Sequence, residues 1–355
     1  MIYMNSKIIG TGCYIPENIV KNDAFVNHFF LDINGNKIAS ENKEIIDKLE
    51  AITGIKERKY APDNLNSSDI AAKAAKNAIN SSSIDSETID YIILAHNIGD
   101  VSKGSIQVDA MPSLASRVKS KLGIKNPNCV AYDILFGCPG WLEGLIQSNC
   151  FIKSGIAKRC LVIGSETLSR VVDSNDRDGM IFSDGAGAVV TELNSNSDGI
   201  LSHKTVTYAN DGEIDYIFYG RSNKIEADNT KYIKMQGRKV YEFALNKVPQ
   251  AMKLCFDESG YEINKLKKIF IHQANKKMDE VIIKRFFKLY NHNTPENILP
   301  MNIEEYGNSS TATIPTLLDL VMKINYGGHH IEKGDIILFA SVGAGMNINA
   351  VTYQL

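Results

Sequence analysis

The sequence lacks an excess of charge of either sign: 39 Lys and Arg stand against 41 Asp and Glu, a formal net charge of -2. A chain so nearly neutral has no electrostatic footprint of a general nucleic-acid binder. Long hydrophobic runs are missing too. The longest, such as Tyr91 to Ala95 and Ile336 to Ala340, are strand-sized and far below the roughly 20 residues needed to span a bilayer. Met1 to Lys7 shows no basic segment followed by an apolar stretch and a small-residue cleavage site, so the cytoplasm is the expected compartment. The six cysteines (Cys13, Cys129, Cys138, Cys150, Cys160 and Cys255) make no Cys-x-x-Cys pair and no zinc-type spacing. Reduced, mostly buried thiols are expected. With only 9 Pro, and with 44% hydrophobic residues in 355, the chain is neither proline-rich nor disorder-prone. It suits two ordinary domains or one large fold of two similar halves.

Short β-branched runs alternate with helical patterns, the signature of an α/β layered protein. Lys7 to Ile15 reads as an opening strand. Ser68 to Ile79 spaces Ile70, Ala71, Ala74, Ala75 and Ala78 helically, and Asp90 to His96 reads as a buried strand. A helix over Pro112 to Leu122, a strand over Val130 to Phe136, a helix over Pro139 to Ser154 and a strand over Arg159 to Ser165 follow. The second half offers helices at Tyr241 to Glu258, Lys276 to Tyr290 and Thr313 to Ile324, with strands at Lys268 to His272 and on both sides of Gly343 to Gly345. The polar cluster Asn194 to Gly199 marks the expected boundary between halves. Leu31 to Lys37, with Asn34-Gly35, reads as an extra hairpin with a primed turn.

Four sites carry candidate chemistry. Cys138 follows a strand and opens a helix. Gly137 and Gly140 permit a sharp turn and Pro139 suits the first helical turn. A thiol at a helix N-terminus is expected to have a lowered pKa and nucleophilic character, although cysteine is also among the most often buried and inert residues. His272 ends a buried strand, where sites of α/β proteins gather; its alternative is a satisfied core histidine. Asn308, in Tyr306-Gly-Asn-Ser-Ser310, is either a functional amide or an ordinary turn residue before a helix. Gly343-Ala-Gly345 is either a plain turn or a source of backbone amides for an oxyanion.

In combination these elements resemble the β-ketoacyl-acyl-carrier-protein synthase III family of the thiolase superfamily, from Lys7 to the last residue. The resemblance is carried by Thr53-Gly-Ile55 with Arg58, Pro112-Ser113 leading to Leu122-Gly-Ile124, and Asp133 five residues before Cys138. It is also carried by Gly164-Ser-Glu166, Asp176-Arg177, Phe182-Ser-Asp-Gly-Ala-Gly187, His272-Gln-Ala-Asn275 and Gly307-Asn308-Ser309-Ser310. It implies a thiolase-like fold, two similar βαβαβαββ halves in a five-layered αβαβα arrangement. Residues 1–195 would carry the nucleophile and 196–355 the catalytic His and Asn. It further implies that Cys138 takes an acyl group from a thioester, with the Cys138 and Ala344 amides as the oxyanion hole. His272 and Asn308 would then stabilise the enolate formed as a malonyl thioester loses carbon dioxide. No metal or redox cofactor is implied; acyl-CoA or a phosphopantetheinyl acyl carrier protein would serve as substrate, and a homodimer is expected.

Departures concern the substrate. Hydroxymethylglutaryl-CoA synthases place a Glu base after the strand equivalent to Asp90 to His96. Here His96-Asn97-Ile98-Gly99 stands there, with Asp100 nearby, which favours decarboxylative condensation. Members taking acyl-CoA grip the nucleotide with an Arg and a Trp where this chain has Ile52 and Lys48. Arg177 and Lys277 match basic residues at the family's tunnel mouth and suit an acidic carrier protein; the alternative is a solvated surface. Met111 matches the residue that closes the partner's acyl pocket; the alternative is core filler at a helix start. These features, with Cys-Pro-Gly-Trp141 and an insertion from Leu31 to Glu44, suggest a specialised member, of the alkylresorcinol, polyene or acyl-joining type. A cysteine thioester hydrolase and a non-catalytic partner subunit are the competing readings.

Overall fold

The computed structural model describes residues 5–194, 196, 198–225 and 229–355. Its strands are β1 (Asn5–Tyr14), β2 (Asn18–Lys21), β3 (Glu57–Tyr60), β4 (Tyr91–Ala95), β5 (Val130–Ile134), β6 (Arg159–Thr167) and β7 (Asp184–Asn194), then β8 (Gly199–Thr207), β9 (Ile217–Arg221), β10 (Lys231–Met235), β11 (Leu266–Ile271), β12 (Ile336–Gly343) and β13 (Asn347–Gln354). The helices are α1 (Asn42–Thr53), α2 (Ser67–Ser82), α3 (Leu114–Leu122), α4 (Gly140–Lys153), α5 (Gly237–Glu258), α6 (Lys276–Lys288), α7 (Ile303–Tyr306) and α8 (Thr313–Ile324).

Two mixed sheets organise the chain, in the orders β1-β7-β6-β4-β5 and β11-β12-β13-β8. β4 runs parallel to both β5 and β6, and β11 runs parallel to β12. Such parallel strands are apolar on both faces because helices cover both. Ile92 and Leu94 accordingly face α2 and α3, while Ile93 and Ala95 face the other way. The second sheet has four strands; beyond β11 the Ile298 carbonyl accepts the Ile269 N–H at 2.8 Å.

Three apolar clusters define five layers. Ile70, Ala74 and Ala78 of α2, with Leu114 and Val118 of α3, cover the outer face of the first sheet. Val248, Met252 and Phe256 of α5, with Ile282 and Phe286 of α6, cover the outer face of the second. Between the sheets lie α4 and α8, where Trp141, Leu145, Leu317 and Val321 pack against Val162 and Val189 on one side and Phe270, Phe339 and Val351 on the other. The helix that follows the candidate nucleophile is therefore held from both sides in the middle of the molecule.

Two local expectations need correction. Leu31 and Lys37 do pair, through a single antiparallel bridge. The turn is not of the primed type, because only Gly35 has a positive φ (+81°). The Asp32 carboxylate instead accepts the Asn34 and Asn36 N–H groups, both at 2.9 Å, and shapes the loop itself. The cysteines are free, but only Cys129, Cys160 and Cys255 are buried as whole residues; Cys13 and Cys138 are half-buried, and Cys150 is exposed. The boundary cluster Asn194 to Gly199 lies between β7 and β8, with Ser195 and Ser197 outside the described residues.

Candidate active site

β5 and α4 are joined by a tight elbow, Leu135 to Pro139. Gly137 takes a φ of +67°, a conformation that only glycine adopts without strain. A Cβ there would stand 2.6 Å from the Ala344 nitrogen, and a Cβ on Gly343 would collide with the Cys138 nitrogen. The two glycines thus let the turn after β12 lie directly on the cysteine elbow. The Cys138 amide also hydrogen-bonds toward its own sulfur, so this N–H faces the same space as the thiol. The turn at Ala344 abuts it from the second half of the chain.

His272 follows β11, and its N–H donates to the Ala340 carbonyl of β12 at 2.9 Å. Its ring is buried, which pushes the imidazole pKa down to about 4, so the neutral form prevails at neutral pH. Asn308 is fixed on both sides of its backbone: its N–H donates to the Ile181 carbonyl at 2.9 Å and its carbonyl accepts the Ser183 N–H at 2.8 Å. Its side-chain Oδ1 accepts the Ser310 N–H at 2.9 Å. A backbone donor demands the amide oxygen, so the Nδ2 donors turn to the cavity.

Ser310 is the residue at which the three predicted groups meet. Its N–H holds Asn308, and it lines the same cavity as Cys138 and His272, where its backbone acts on the His272 ring and its hydroxyl on the Cys138 thiol, opposing both pKa shifts. It does this with a φ of +51°, uncommon for serine and a sign of backbone held for function. The Gly-Asn-Ser-Ser motif pointed at this loop, but nothing in the sequence singled out this hydroxyl.

Cys138, His272, Asn308, Ser310 and Ala344 all line one cavity of about 330 Å³. The rest of its wall is largely apolar, including Ile98, Phe136, Leu168 and Phe182, and among the described lining residues there is no Lys, Arg, Asp or Glu. Sequence reasoning passed over the β9–β10 hairpin, yet Ile217, Tyr219, Ile233 and Met235 on it complete the wall. The period-2 alternation of those residues was the available signal.

The thiol departs from expectation. Burial, reinforced by the nearby Glu166, pushes the Cys138 pKa up to about 12, and the Ser310 and backbone donors only partly oppose this. A helix terminus contributes about 0.3–2 kcal/mol, at most about one and a half pH units at roughly 1.36 kcal/mol each. Desolvation wins, and the resting thiol is protonated.

Several motif residues prove to be scaffold. The Asp133 carboxylate accepts the Leu114 and Ala115 N–H groups at the start of α3, each at 2.7 Å. It also pairs with His96 Nε2 at 3.0 Å; because His96 Nδ1 accepts the Gly99 N–H, the ring proton lies on Nε2. Asp184 accepts from Ala61 and Ser169, and buried Arg58 donates to the Met180 and Val20 carbonyls and to Asn22. Asp100, the carboxylate nearest the place of the missing Glu base, is occupied by the Ser68 N–H and hydroxyl and by Arg117. It does not line the cavity.

Comparison with known proteins bears on the family and the fold. The model of the 3-oxoacyl-[acyl-carrier-protein] synthase III family matches residues 132–209, and that of its C-terminal part residues 256–355. A β-ketoacyl-[acyl-carrier-protein] synthase III of Neisseria meningitidis serogroup B is 34% identical over 350 residues, 98% of this chain and 99% of the relative. The chain belongs to the synthase III family. The crystal structure of the Aquifex aeolicus 3-oxoacyl-[acyl-carrier-protein] synthase III superposes with a TM-score of 0.80 at 30% identity, covering 99% of this chain and 100% of that one. The priming β-ketosynthase of the R1128 polyketide pathway shares the fold, with a TM-score of 0.82 at 22% identity over 99% of this chain and 96% of that one. The thiolase-like fold expected from the sequence is the fold observed.

In this synthase a second cavity, of about 530 Å³, adjoins the first and shares Met235, Val240, Ala274 and Met278 with it. Lys48, Ile52, Arg177 and Arg238 also line it, so the adjoining spaces make a candidate route toward Cys138. Lys277 does not line that route; it sits on a neighbouring groove of about 460 Å³ with Lys56, Lys276 and Glu304. Met111 is 90% exposed, which overturns its reading as core filler. No described helix is long and apolar enough to cross a membrane.

Proposed function

We propose that the chain catalyses a decarboxylative Claisen condensation, extending an acyl group held on Cys138 by two carbons from a malonyl thioester. The observation that carries the reading is one cavity in which a thiol, two neutral side-chain donors and the Ala344 turn face each other with no charged side chain in its wall. The Cys138 sulfur attacks the acyl thioester carbonyl; the tetrahedral oxyanion takes the Cys138 and Ala344 amides; the C–S bond to the donor breaks and the donor thiol leaves with the proton. A malonyl thioester then enters. His272 and Asn308 donate to its thioester oxygen, the bond to the carboxylate breaks, carbon dioxide departs and the electron pair forms the enolate. That carbon attacks the acyl-cysteine, the C–S bond breaks, and the β-ketoacyl thioester leaves behind a thiolate that takes up a proton from solvent. A neutral histidine supports this role, because it donates a hydrogen bond without being a strong enough acid to quench the carbon nucleophile. The chemistry as written uses no metal or redox cofactor.

Acyl and malonyl groups would arrive on the phosphopantetheine arm of an acyl carrier protein through the route past Arg177. Lys48 and Ile52 supply neither the aromatic ring nor the guanidinium that would hold a CoA nucleotide, which favours carrier-bound donors. Met111, exposed on one protomer, would close the pocket of a second copy in a cytoplasmic homodimer. Lys277 would meet the carrier beside the entrance.

The test is intact-mass spectrometry of wild type and Cys138→Ala after incubation with acyl-CoA and acyl-carrier thioesters, with and without malonyl-carrier protein. An acyl adduct on wild type alone, discharged by malonyl-carrier protein to a product two carbons longer, is the expected result. Release only as free acid would replace condensation with hydrolysis.

A further inference from the structure

Behind the nucleophile lies a chain of hydrogen bonds that the reaction above does not use. Glu166, at the cavity end of β6, is fully buried. Its carboxyl group takes two donors from Asn97, Nδ2 at 2.6 Å and the N–H at 3.3 Å, and shares the single Thr311 hydroxyl hydrogen, at 3.3 Å, with the Ala95 carbonyl at 3.2 Å. Asn97 Nδ2 has a second hydrogen, and it goes to Ser310 Oγ at 2.8 Å. Both amide hydrogens are then spent, and Ser310 Oγ is fixed as an acceptor on one side. Its own O–H is left to donate, and Ser310 and Cys138 line the same cavity, where the hydroxyl opposes the upward shift of the thiol pKa.

We infer that Glu166, Asn97 and Ser310 form a positioning chain that commits the Ser310 hydroxyl to the Cys138 sulfur, stabilising the thiolate that accepts the acyl group. The chain moves no proton, since Asn97 donates at both ends and has no hydrogen-bonding hydrogen to pass on. Its function is orientation: without Asn97 the hydroxyl is free to rotate toward other acceptors. The left-handed backbone of Ser310, tied by its N–H to Asn308, brings the hydroxyl to this place. A hydrogen bond to a charged group is about twice as strong as a neutral one, and it offsets part of the desolvation of the sulfur. Among the described residues, the titratable groups facing that sulfur are His272 after β11, Tyr219 on β9, and Glu166 on β6 behind Asn97. The inference rests on Cys138 being the nucleophile of the proposed reaction, but its test needs no acyl or malonyl substrate.

The test is alkylation by iodoacetamide from pH 7 to 9.5, read at the Cys138 peptide by mass spectrometry so that exposed Cys150 does not interfere. In Ser310→Ala the rate at each pH is expected to fall about tenfold, a displacement of the profile by about one pH unit toward alkali. Asn97→Ala moves it about half as far in the same direction, and the double variant matches Ser310→Ala alone, because both changes remove one bond. Ser310→Gly, which accepts the left-handed backbone without strain, reproduces the shift even if the alanine variant folds poorly. A purely structural role would loosen the cavity and speed alkylation. Faster or unchanged alkylation in the serine variants, or additive shifts in the double variant, would overturn the chain. Absence of an acyl adduct on wild type would instead count against the condensing reaction and leave this result standing.

Discussion

The cavity at Cys138 and the rim of its entrance are a few residues apart and opposite in character. The cavity wall is largely apolar, its polar groups are neutral, and Asn308 and Ser310 are anchored by backbone and buried side-chain hydrogen bonds. At the rim, Arg177, Asp178, Lys48 and Arg238 surround the opening, and Arg177 is about half exposed. Inside, a stray charge would be undiluted by water and would favour protonating an enolate or trapping a carboxylate. Outside, charges are screened and interchangeable, and serve encounter with a partner more than chemistry. On the proposed reaction, the chemistry is written in the cavity and the choice of donor at the rim. Substitutions in the two regions should fail in different ways.

The largest effect belongs to the nucleophile. Cys138→Ala is expected to abolish the covalent acyl adduct on every donor, measured by intact mass. Next come the two donors from the second half. His272→Ala and Asn308→Ala should each slow condensation by about 10²–10³, the cost of losing one oxyanion donor. Acylation of Cys138 should persist in both, since the Cys138 and Ala344 amides serve that step. Single-turnover measurement of adduct formation and discharge separates the two. An Asn308 variant that acylates tenfold more slowly would show that the loop also shapes the thiol site, through Ser310.

The contrast between cavity and rim also marks what the sequence alone makes legible. The layers are legible because β4, β11 and β12 are apolar runs of strand length and α2 and α8 are amphipathic at helical spacing. The elbow at Cys138 is legible because Gly137 and Pro139 have one local use. Ser310 is not, because its orientation depends on Asn97, a residue 213 positions away. Asn97 itself reads only as a place where a Glu is missing. The thiol pKa is misjudged for a related reason: the helix terminus is visible in the sequence, while the burial that outweighs it belongs to the assembled layers. Rim positions read as equivalent basic residues, yet Arg177 lines the route and Lys277 a different groove.

Two pH effects follow from cavity burial. Alkylation of Cys138 should rise about tenfold per pH unit from pH 7 to 9.5 with no plateau, because the thiol titrates near 12 and the thiolate fraction keeps growing. A plateau near pH 8 would mean that the sulfur is better hydrated than its surroundings suggest. His272 affects stability in the same direction but over a lower pH range. Its folded pKa, about 4, lies below its ordinary value of 6.5, so the unfolded chain takes up a proton that the folded chain refuses. Stability is full above pH 6.5 and falls toward pH 4, by up to about 1.4 kcal/mol per pH unit. His272→Gln, tested by urea unfolding at pH 4.5 and 7.5, should show the smaller loss.

The smallest effect is expected at the rim, and it tests the division most sharply. Arg177→Glu reverses a charge about half exposed to solvent, so its influence on chemistry inside the cavity should be slight. Encounter with an acidic carrier protein should suffer: kcat/KM for a carrier-bound donor is expected to fall about 3- to 10-fold at low salt, with kcat unchanged. The defect should shrink in 0.5 M salt, where the Debye length is only a few ångströms. A truncated thioester without a carrier should react at the wild-type rate. If Arg177→Glu slowed the truncated substrate as much as the carrier-bound one, the rim charge would be acting through the cavity. The neighbouring Asp178, which burial and Asp176 push up to about 6, would then be the group to examine, since losing Arg177 would remove the cation that restrains its protonation.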